Sequence, residues 1–565
     1  MRQLIECVPN FSEGKNLQII KSITDTIEKI EGITLLDVDP GAATNRTVVT
    51  FVGEPEPVIL AAELAIKKAA ELIDMSKHKG EHPRMGATDV CPLIPVANIS
   101  MKEVSEYAHK LGERVANSTE IPIFIYGEAQ KNEKRKNLSV IRAGEYEGMF
   151  DKIQQAGWKP DYGKAIMNKK AGATNIGARD FLIAYNINLN TTSSRIANRI
   201  AFDVREAGRV KRVGDPFVGE IVRDRDGNPV RVPGKCKAVK AIGWYIEEYG
   251  VAQISANLVD YKTTPIHVFF DEVNNSAITR GVRVTGSELV GLIPLKAMLD
   301  AGKHYLKKQR RSLGVPESEI IKIAIKSMGL DELGPFDPNE KIIEYKLNQT
   351  NKDSLIQMSL ASFADETSSE SPAPGGGSIS AYVGSLGASL AGMVANLSAN
   401  KRGWESKVEY YSQWAEEAQK IKDKLNFLVN EDTSAFGKIM DAIKLPKGNE
   451  AERKKRQKLL NEATIGAIEV PFEVMKTAFK TLAICKEMAH FGLQASVSDA
   501  GVGAACTRTA IEGAYMNVLI NARDLADRNK AEKYKKQGKE ILDKAILQAE
   551  QIIDDVFEKI KTAND

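Results

Sequence analysis

The spacing of apolar residues changes character once along the chain. Up to Tyr345, short strand-like segments alternate with longer helix-like ones, a pattern typical of α/β proteins. This pattern predicts strands over residues 33–39, 46–52, 90–96, 121–127, 181–188 and 251–258, and helices over residues 56–76, 101–117 and 193–207. Residues 158–177 are predicted to form a loop, and Asp226 and Gly227 to turn a hairpin over residues 219–232.

Strand signals nearly vanish after Tyr345. Residues 346–353 are polar and predict a linker, and helix-period segments follow at 408–428, 451–463, 474–488 and 533–559. The uncharged run 379–397 is rich in Gly, Ala and Ser, which favours a closely packed core helix over a membrane span. The chain is therefore predicted to be multidomain, with two α/β subdomains (1–180 and 181–345), a linker (346–353) and an all-α helical bundle (354–565).

One predicted strand, residues 251–258, alternates polar and apolar side chains. Gln253, Ser255 and Asn257 would share one face of the sheet, opposite a covered apolar face. These polar residues would either line a cleft or face solvent, and the pattern does not choose between the two.

Composition narrows the possible functions. The 565 residues carry a net charge of only +3, which argues against a dedicated nucleic-acid binder. The five cysteines are scattered and form no CxxC pair, so they indicate neither a disulfide framework nor a zinc site. The first residues resemble a strand and not a signal peptide. We therefore expect a cytoplasmic protein.

A lone histidine, His82, lies in a loop just ahead of a predicted strand. Gly80 and Pro83 exclude a helix there, and charged residues surround the loop. The same two residues prevent His78 and His82 from sharing a helical face, so with Glu81 they do not form a zinc motif. An imidazole in such a loop suits general acid/base catalysis, and the alternative is a histidine bonded to backbone.

Two features of the helical part would suit a ligand. Residues 372–378, which we call the glycine turn, precede the uncharged run and free backbone N–H groups at a helix N-terminus, where anions are favoured. A plain helix cap would use the same residues. Asn517 and Asn521 lie four apart on one face of an apolar helix, so their amides need structural or ligand partners.

Beyond these patterns, the chain resembles the formimidoyltransferase-cyclodeaminase family of folate enzymes over nearly its whole length. The matching segments, in order, are residues 6–14, 37–39, 45–46, the His82 loop, 172–174 with 177–179, 181–189 and 292–297, then 372–378, 432 with 435–436, 445–447 and 517–521. The resemblance implies two α/β, α+β sandwich-like transferase subdomains followed by the bundle, in a homo-oligomer. It also implies formiminoglutamate and tetrahydrofolate as substrates, the folate in polyglutamylated form as well. The spacing, charge and composition described above predict no metal and no nucleic-acid or membrane partner.

The resemblance further implies roles for particular residues. His82 would shuttle protons in formimino transfer, and Asp39 would orient it or the attacking amine. Lysines of the 163–172 loop would meet the anionic glutamate tail. Implied substrate contacts are Asn10, Arg46, Gly163, Lys164, Lys169, Lys170, Gly172, Ala173, Thr174 and Gly177 in the first part, and Gly375, Gly376, Gly377, Ser378, Asn517 and Asn521 in the second.

The second reaction, ring closure with loss of ammonia, requires a group that protonates the departing nitrogen. The sequence departs from the family pattern after the uncharged helix, where Glu405 and Glu409 occur but no aspartate. Candidates for the acid are therefore Glu405, Glu409 and Asp432. The helical part could instead be a methenyl-tetrahydrofolate cyclohydrolase or a noncatalytic dimerisation bundle.

Overall fold

The computed structural model describes residues 3–42, 44–80, 83–215, 218–348, 354–371 and 373–562. Contacts divide the chain into two compact units. The first comprises residues 1–301 and 328–350, and the second comprises residues 302–327 and 351–565. The predicted linker, residues 346–353, begins inside a helix that ends at Asn348, and its residues 349–353 lie outside the described residues.

A seven-stranded mixed sheet forms the first part of the first unit. Its strands are β1 (Leu4–Cys7), β2 (Asn10–Phe11), β3 (Ile33–Gly41), β4 (Arg46–Gly53), β5 (Thr88–Ala97), β6 (Ile123–Gly127) and β7 (Thr174–Ala178). The helices are α1 (Leu17–Glu28), α2 (Pro55–Leu72), α3 (Met101–Ser118), α4 (Leu138–Arg142) and α5 (Glu145–Lys152). The strand order is β1-β4-β2-β5-β7-β6, with β3 paired to β4.

Local sequence explains where the main helices begin. The Asn16 side chain caps α1, and Ser100 with Glu103 forms a reciprocal capping box at the start of α3. The prediction of a loop over residues 158–177 is wrong at its end, because β7 starts at Thr174 and is buried between β5 and β6 as a parallel strand. Its residues are mostly small, so they lack the apolar run that predicts a strand.

A four-stranded antiparallel sheet of order β11-β12-β8-β13 forms the rest of the first unit. The next strands along the chain are β8 (Ile183–Leu189), β9 (Arg209–Val210), β10 (Arg231–Val232), β11 (Val239–Ile246), β12 (Val251–Leu258) and β13 (Val284–Val290). The next helices along the chain are α6 (Ser194–Val204), α7 (Ile266–Ile278), α8 (Leu295–Lys308), α9 (Glu317–Met328), α10 (Pro338–Lys341) and α11 (Ile343–Asn348). Of these, the end of α8 and nearly all of α9 belong to the second unit. The predicted hairpin turn is confirmed, since Gly227 has φ +81° and Asp224 and Asn228 are joined by a backbone hydrogen bond.

Long helices build the second unit. They are α12 (Leu360–Thr367), α13 (Gly376–Ala399), α14 (Val408–Lys444), α15 (Glu450–Phe479), α16 (Thr481–Phe491), α17 (Val497–Ala522) and α18 (Arg528–Thr562). Two predicted boundaries are wrong: α14 continues well beyond residue 428, and α15 runs unbroken through Pro471. The predicted fold class, two α/β parts followed by an all-α bundle, is confirmed.

Helix α13 is the small-residue helix at the centre of the bundle. A Cβ on Gly387 would lie 2.7 Å from the Thr507 hydroxyl oxygen, and one on Gly392 would lie 3.0 Å from the Ala418 side chain. The helix is long and apolar enough to cross a membrane, but 61% of its most apolar window is buried inside the protein. These contacts agree with the predicted closely packed core helix.

Candidate active sites

Polar side chains form one row across the seven-stranded sheet. From β3 to β7, the directly paired residues are Asp39–Val48, Val48–Asn10, Asn10–Val90 and Val90–Asn175. Paired residues on neighbouring strands point to the same side of a sheet, so Asp39, Asn10 and Asn175 share a face. The residues that alternate with them along the strands, such as Phe11, Val49 and Cys91, are buried in the core on the other face, and Val90 on the row's own face is buried as well. We call this polar set the row; it spans about 19 Å at the usual strand spacing.

Both signs of charge are present on the face that carries the row. The guanidinium of Arg46 donates a hydrogen bond to the side-chain oxygen of Asn10. Burial lowers the pKa of Arg46 to about 10, so it stays cationic at neutral pH. Burial raises the pKa of Asp39, the neighbouring Asp37 adds to this effect, and Lys341 opposes it. The face can thus hold an anionic group at Arg46 and keep a carboxylate of raised pKa nearby.

The loop that contains His82 is anchored beside this face. Residues 81–82 lie outside the described residues, so the position of the predicted catalytic histidine is not part of the structure. Before the loop, the Asn45 amide donates to the Lys79 carbonyl over 2.9 Å. After the loop, Arg84 forms 2.8 Å ion pairs with two glutamates of α5. Asn45 directly precedes Arg46, so the loop's first flank is tied to the strand that carries this cation.

The segment predicted to bind the folate tail is partly exposed. Gly163 has φ +86°, a conformation that favours glycine, and Lys164 and Lys169 are exposed to solvent. The ammonium group of Lys170 donates to the Glu71 carbonyl at the end of α2 over 2.6 Å. Of the three lysines, the first two are therefore the better placed to meet a mobile anionic tail.

Gly172 and Ala173, at the end of the segment predicted to bind the folate tail, lie against Met85, which follows the His82 loop. A Cβ on Gly172 would lie 2.3 Å from the Met85 carbonyl oxygen, and φ is +73°, so the position requires glycine. The Ala173 N–H donates to the same carbonyl over 3.0 Å. Thr174 and Gly177 lie in β7, the strand that contributes Asn175 to the row. The structure thus joins this segment to the row and to the loop.

The four-stranded sheet carries a network of polar side chains around Glu288 on β13. Asn186 donates to Glu288 Oε2 over 3.0 Å, and Gln253 donates to the same oxygen over 3.2 Å. The Tyr249 hydroxyl donates to Oε1 over 3.1 Å, and burial together with this carboxylate raises the pKa of Tyr249 to about 12. Gln253 also donates to Asn188 Oδ1 over 2.9 Å. We call these five residues the Glu288 network.

The electrostatic effect of Glu288 on Asp39 indicates that the Glu288 network faces the row within the first unit, and we call the space between them the cleft. The network lies on the face of its sheet turned away from the core side chains Tyr185 and Ile187, because residues alternate along β8. After burial and Asp37, the charge of Glu288 is a further cause of the raised pKa of Asp39. The two polar faces therefore approach each other.

In the second unit, the glycine turn meets Asp432. A Cβ on Gly377 would lie 2.2 Å from an oxygen of the Asp432 carboxylate, whereas one on Gly375 would meet nothing within 4 Å. The Ser378 hydroxyl donates to the carboxylate over 2.9 Å, and the Ser378 N–H bonds to it as well. Burial raises the pKa of Asp432 even though these hydrogen bonds oppose the shift. A carboxylate of raised pKa therefore sits at the N-terminus of α13, which starts at Gly376.

The two asparagines of α17 have different surroundings. A Cβ on Gly376 would lie 3.3 Å from the Asn517 Nδ2 atom, so this amide borders the glycine turn. The Asn521 amide donates to the Ala467 carbonyl over 2.7 Å and ties α17 to α15. The structure thus groups the turn, Asp432 and Asn517, and it gives Asn521 a partner in the fold.

Glu405 and Glu409 lie at the other end of α14. Glu405 is exposed and accepts a 2.9 Å hydrogen bond from the Gly403 N–H, which lowers its pKa. Glu409 is exposed in the first turn of α14. The 23 residues that separate Glu409 from Asp432 on this helix span about 35 Å. The structure does not bring the two glutamates to the Asp432 site.

A cleft of about 960 Å³ opens between α14 and α15, and Asp432 does not line it. Three lysines and five carboxylates are interspersed along it with Phe427, Phe472 and Tyr534. This mixture of charges selects no particular ligand. Among the described residues, no group of three or more His, Cys, Asp or Glu side chains is arranged to hold a metal ion.

Sequence reasoning left Gln253 undecided and missed three residues of the cleft. Gln253 is 1% exposed and bonded within the Glu288 network, so the solvent-exposed alternative is wrong for this residue, while Asn257 is exposed. Asn175, Asn188 and Glu288 were not singled out. For Asn188 the sequence signal is the alternation of asparagines with apolar residues along β8, the same pattern as in β12.

Three family profiles match successive parts of the chain. They are described as the formiminotransferase domain N-terminal subdomain (residues 4–179), the formiminotransferase domain (184–348) and formiminotransferase-cyclodeaminase (359–540). The segments follow each other in the order of the two sheets and the helical bundle.

Similar proteins are known for the whole chain and for parts of it. A formimidoyltransferase-cyclodeaminase from Gallus gallus is 43% identical over 98% of this chain and 97% of its own length. A glutamate formimidoyltransferase from Streptococcus pyogenes is 39% identical over 54% of this chain and 94% of its own length. A methenyltetrahydrofolate cyclohydrolase from Methylorubrum extorquens is 30% identical over 36% of this chain and 97% of its own length. The resemblance inferred from the sequence is confirmed, and the chain belongs to the formimidoyltransferase-cyclodeaminase family.

Proposed function

We propose that this bifunctional enzyme carries out its two folate reactions at two separate sites. The chain transfers the formimino group of N-formimino-L-glutamate to N5 of tetrahydrofolate. It then closes 5-formimino-tetrahydrofolate to 5,10-methenyl-tetrahydrofolate and releases ammonia. We assign the transfer to the cleft of the first unit and the ring closure to the Asp432 site of the second.

The row opposite the Glu288 network is the observation that most directly supports the first assignment. Transfer requires a proton to leave N5 as it attacks the formimino carbon, and another to reach the departing glutamate nitrogen. An imidazole has the pKa for both steps, so His82 is the proposed shuttle. Asp39, whose pKa is raised by burial, would orient His82 or the attacking amine.

Cations around the cleft suit the carboxylates of both substrates. Arg46 is cationic on the row's face, and Lys164 and Lys169 are exposed on the adjoining segment. Hydrogen bonds between such groups and carboxylates are charge-assisted and therefore stronger than neutral ones. We propose that Arg46 holds a carboxylate inside the cleft and that the two lysines contact the folate glutamate tail, including a polyglutamylated one.

Ring closure is proposed to use Asp432 as the acid. N10 attacks the formimino carbon, the bond from that carbon to the terminal nitrogen breaks, and this nitrogen leaves as ammonia after taking a proton. A carboxylic acid of raised pKa keeps its proton to a higher pH than an ordinary aspartic acid and can donate it to the leaving nitrogen. Burial raises the pKa of Asp432, and Asn517 borders the same turn, which supports this role.

A cyclohydrolase activity of the helical unit is the second candidate, because a methenyltetrahydrofolate cyclohydrolase matches 36% of the chain. The two candidates differ in what they consume. A cyclodeaminase releases one ammonia for each 5-formimino-tetrahydrofolate, whereas a cyclohydrolase opens the methenyl ring with water and releases none.

The wider setting follows from the same chemistry. We propose that the enzyme acts in histidine breakdown, because its substrate is formiminoglutamate. The five cysteines are all free, and the thiols of Cys7 and Cys91 share a 3.4 Å hydrogen bond, which agrees with the reducing cytoplasm that we propose. Exposed apolar side chains of the helical unit, including Phe491, Met516 and Phe557, support a homo-oligomer.

Two variants of the full-length chain test the division of labour. We expect His82→Ala to lower glutamate release at least about a hundredfold and to leave the closure of supplied 5-formimino-tetrahydrofolate unchanged. We expect Asp432→Asn to do the reverse. Glutamate, ammonia and methenyl absorbance are followed together. If either variant, while folded, loses both reactions, the sites are not separate.

A further inference from the structure

Glu288 is a half-buried carboxylate whose charge has no counterion in the described part of the chain. Its hydrogen-bond donors, Asn186, Gln253 and Tyr249, are all neutral. Asp39, on the opposite side of the cleft, is another carboxylate that repels Glu288, and Lys341 opposes this repulsion only at Asp39. Neutral donors hold a carboxylate in place but do not neutralise it, so this arrangement favours a cation between the two walls.

Beside Glu288, Asn188 presents a hydrogen-bond donor that is not used. The Trp244 indole N–H donates to Gln253 Oε1 over 3.3 Å, which fixes the orientation of the Gln253 amide. Gln253 Nε2 then donates to Asn188 Oδ1, so the free end of Asn188 is its Nδ2 group. Asn188 is 1% exposed, and this nitrogen has no hydrogen-bond partner among the described residues. A buried donor of this kind requires an acceptor.

We propose that Glu288 and Asn188 bind formiminoglutamate, with Glu288 contacting its formimino group and Asn188 donating to its α-carboxylate. A formimino group on an amine is an amidine, which is a planar cation at neutral pH. Its N–H groups match a carboxylate as those of a guanidinium do. The inference rests on the transferase reaction and adds to it the wall of the cleft that recognises the group to be transferred.

Strand geometry permits both contacts at once. Asn186 is in register with Glu288, and Asn188 follows it by two residues on the same face of β8. That step along a strand is about 6.5 Å. In formiminoglutamate, the amidine and the α-carboxylate are attached to the same carbon, so one molecule with a hydrogen bond at each end can bridge this distance. The formimino carbon would then lie against the wall opposite Asp39.

The test compares two ligands on the full-length enzyme. Formiminoglutamate carries the cation, whereas N-formyl-L-glutamate has a neutral carbonyl in its place and the same carboxylates. We expect Glu288→Gln to raise KM for formiminoglutamate about 10- to 100-fold, which is the loss of a charge-assisted hydrogen bond. The inhibition constant of N-formyl-L-glutamate and KM for tetrahydrofolate should change less than about threefold.

A second variant and a matched control keep the proposal falsifiable. Asn188→Asp should weaken both glutamate ligands together, because it turns a donor to their shared carboxylate into a repulsive acceptor. Tyr249→Phe removes a donor from the network but keeps the Glu288 charge, so the ratio of the two affinities should stay at the parent value. Closure of supplied 5-formimino-tetrahydrofolate reports on folding.

Three results would overturn the proposal. The first is that KM of Glu288→Gln for formiminoglutamate stays at the parent value. The second is that its KM for tetrahydrofolate rises instead, which would assign Glu288 to the pterin edge. The third is that this variant binds both glutamate ligands equally more weakly. The parent enzyme's own turnover of formiminoglutamate tests the transferase reaction separately.

Discussion

Replacing Gly377 with alanine would disturb Asp432 without changing any ionisable group. The added Cβ would lie 2.2 and 2.6 Å from the two carboxylate oxygens. Carbon and oxygen atoms that are not bonded rest about 3.5 Å apart, so the carboxylate must retreat by about 1 Å or α13 must shift. A 1 Å misplacement of a reacting group costs about a hundredfold in rate, and overpacking costs about 1–3 kcal/mol of stability. We expect ring closure to fall by that factor and transfer to stay unchanged.

The assay supplies 5-formimino-tetrahydrofolate and follows ammonia and methenyl absorbance, with glutamate release as the internal reference. Gly437→Ala is the matched control, because Gly437 lies on α14 with Asp432 and an added Cβ there meets nothing within 4 Å. It should close the ring at the parent rate and gain up to about 1 kcal/mol of stability from helix propensity. A folded Gly377→Ala enzyme that closes the ring at the parent rate would refute the reasoning.

Three further predictions concern carboxylates. Burial raises the pKa of Glu6 from 4.5 to about 7, so the unfolding free energy of the first unit should fall by about 3 kcal/mol as pH rises through that range. Denaturation of Glu6→Gln across the same pH range should show no such fall. An unchanged fall in this variant would contradict the raised pKa of Glu6. Ser378→Ala removes hydrogen bonding that favours ionised Asp432, so the pH at which ring closure declines should move upward. A downward shift of the pH–rate profile would be inconsistent with Asp432 as the acid. Glu405→Gln and Glu409→Gln should each close the ring within about twofold of the parent rate, because both side chains are exposed and Glu409, the nearer of the two in the chain, lies about 35 Å along α14 from Asp432. A tenfold loss would move the site to their end of α14.

The order of the domains could be predicted because apolar period is a local signal. The switch from strands to helices after Tyr345 is visible in any short window of the sequence. Strand β7 was missed because its residues, Thr174–Ala178, are mostly small and polar. It is a strand because β5 and β6 pair with it on both sides, and such pairing is not encoded in five residues.

The candidate sites were predicted only where a family motif covered them. Asp39 and Asn10 lie in such motifs, whereas Asn175 and Glu288 acquire their positions from cross-strand register. Asp432 and Gly377 were both named, but their contact forms only when α13 and α14 pack together. Neither register nor helix packing can be read from residues so far apart in the chain.

The row of Asp39, Asn10 and Asn175 forms only when the strands pair in the correct register. Transferase activity therefore depends on that register. The side-chain period of a strand is two, so a one-residue slip of β3 would turn Asp39 into the apolar core and bring a neighbouring core residue to the cleft. Slipped chains would keep their helices and much of their compactness, and they would look folded by circular dichroism. During refolding, transferase activity should therefore recover later than helicity, and the delay between the two would measure how long the sheet takes to find its register.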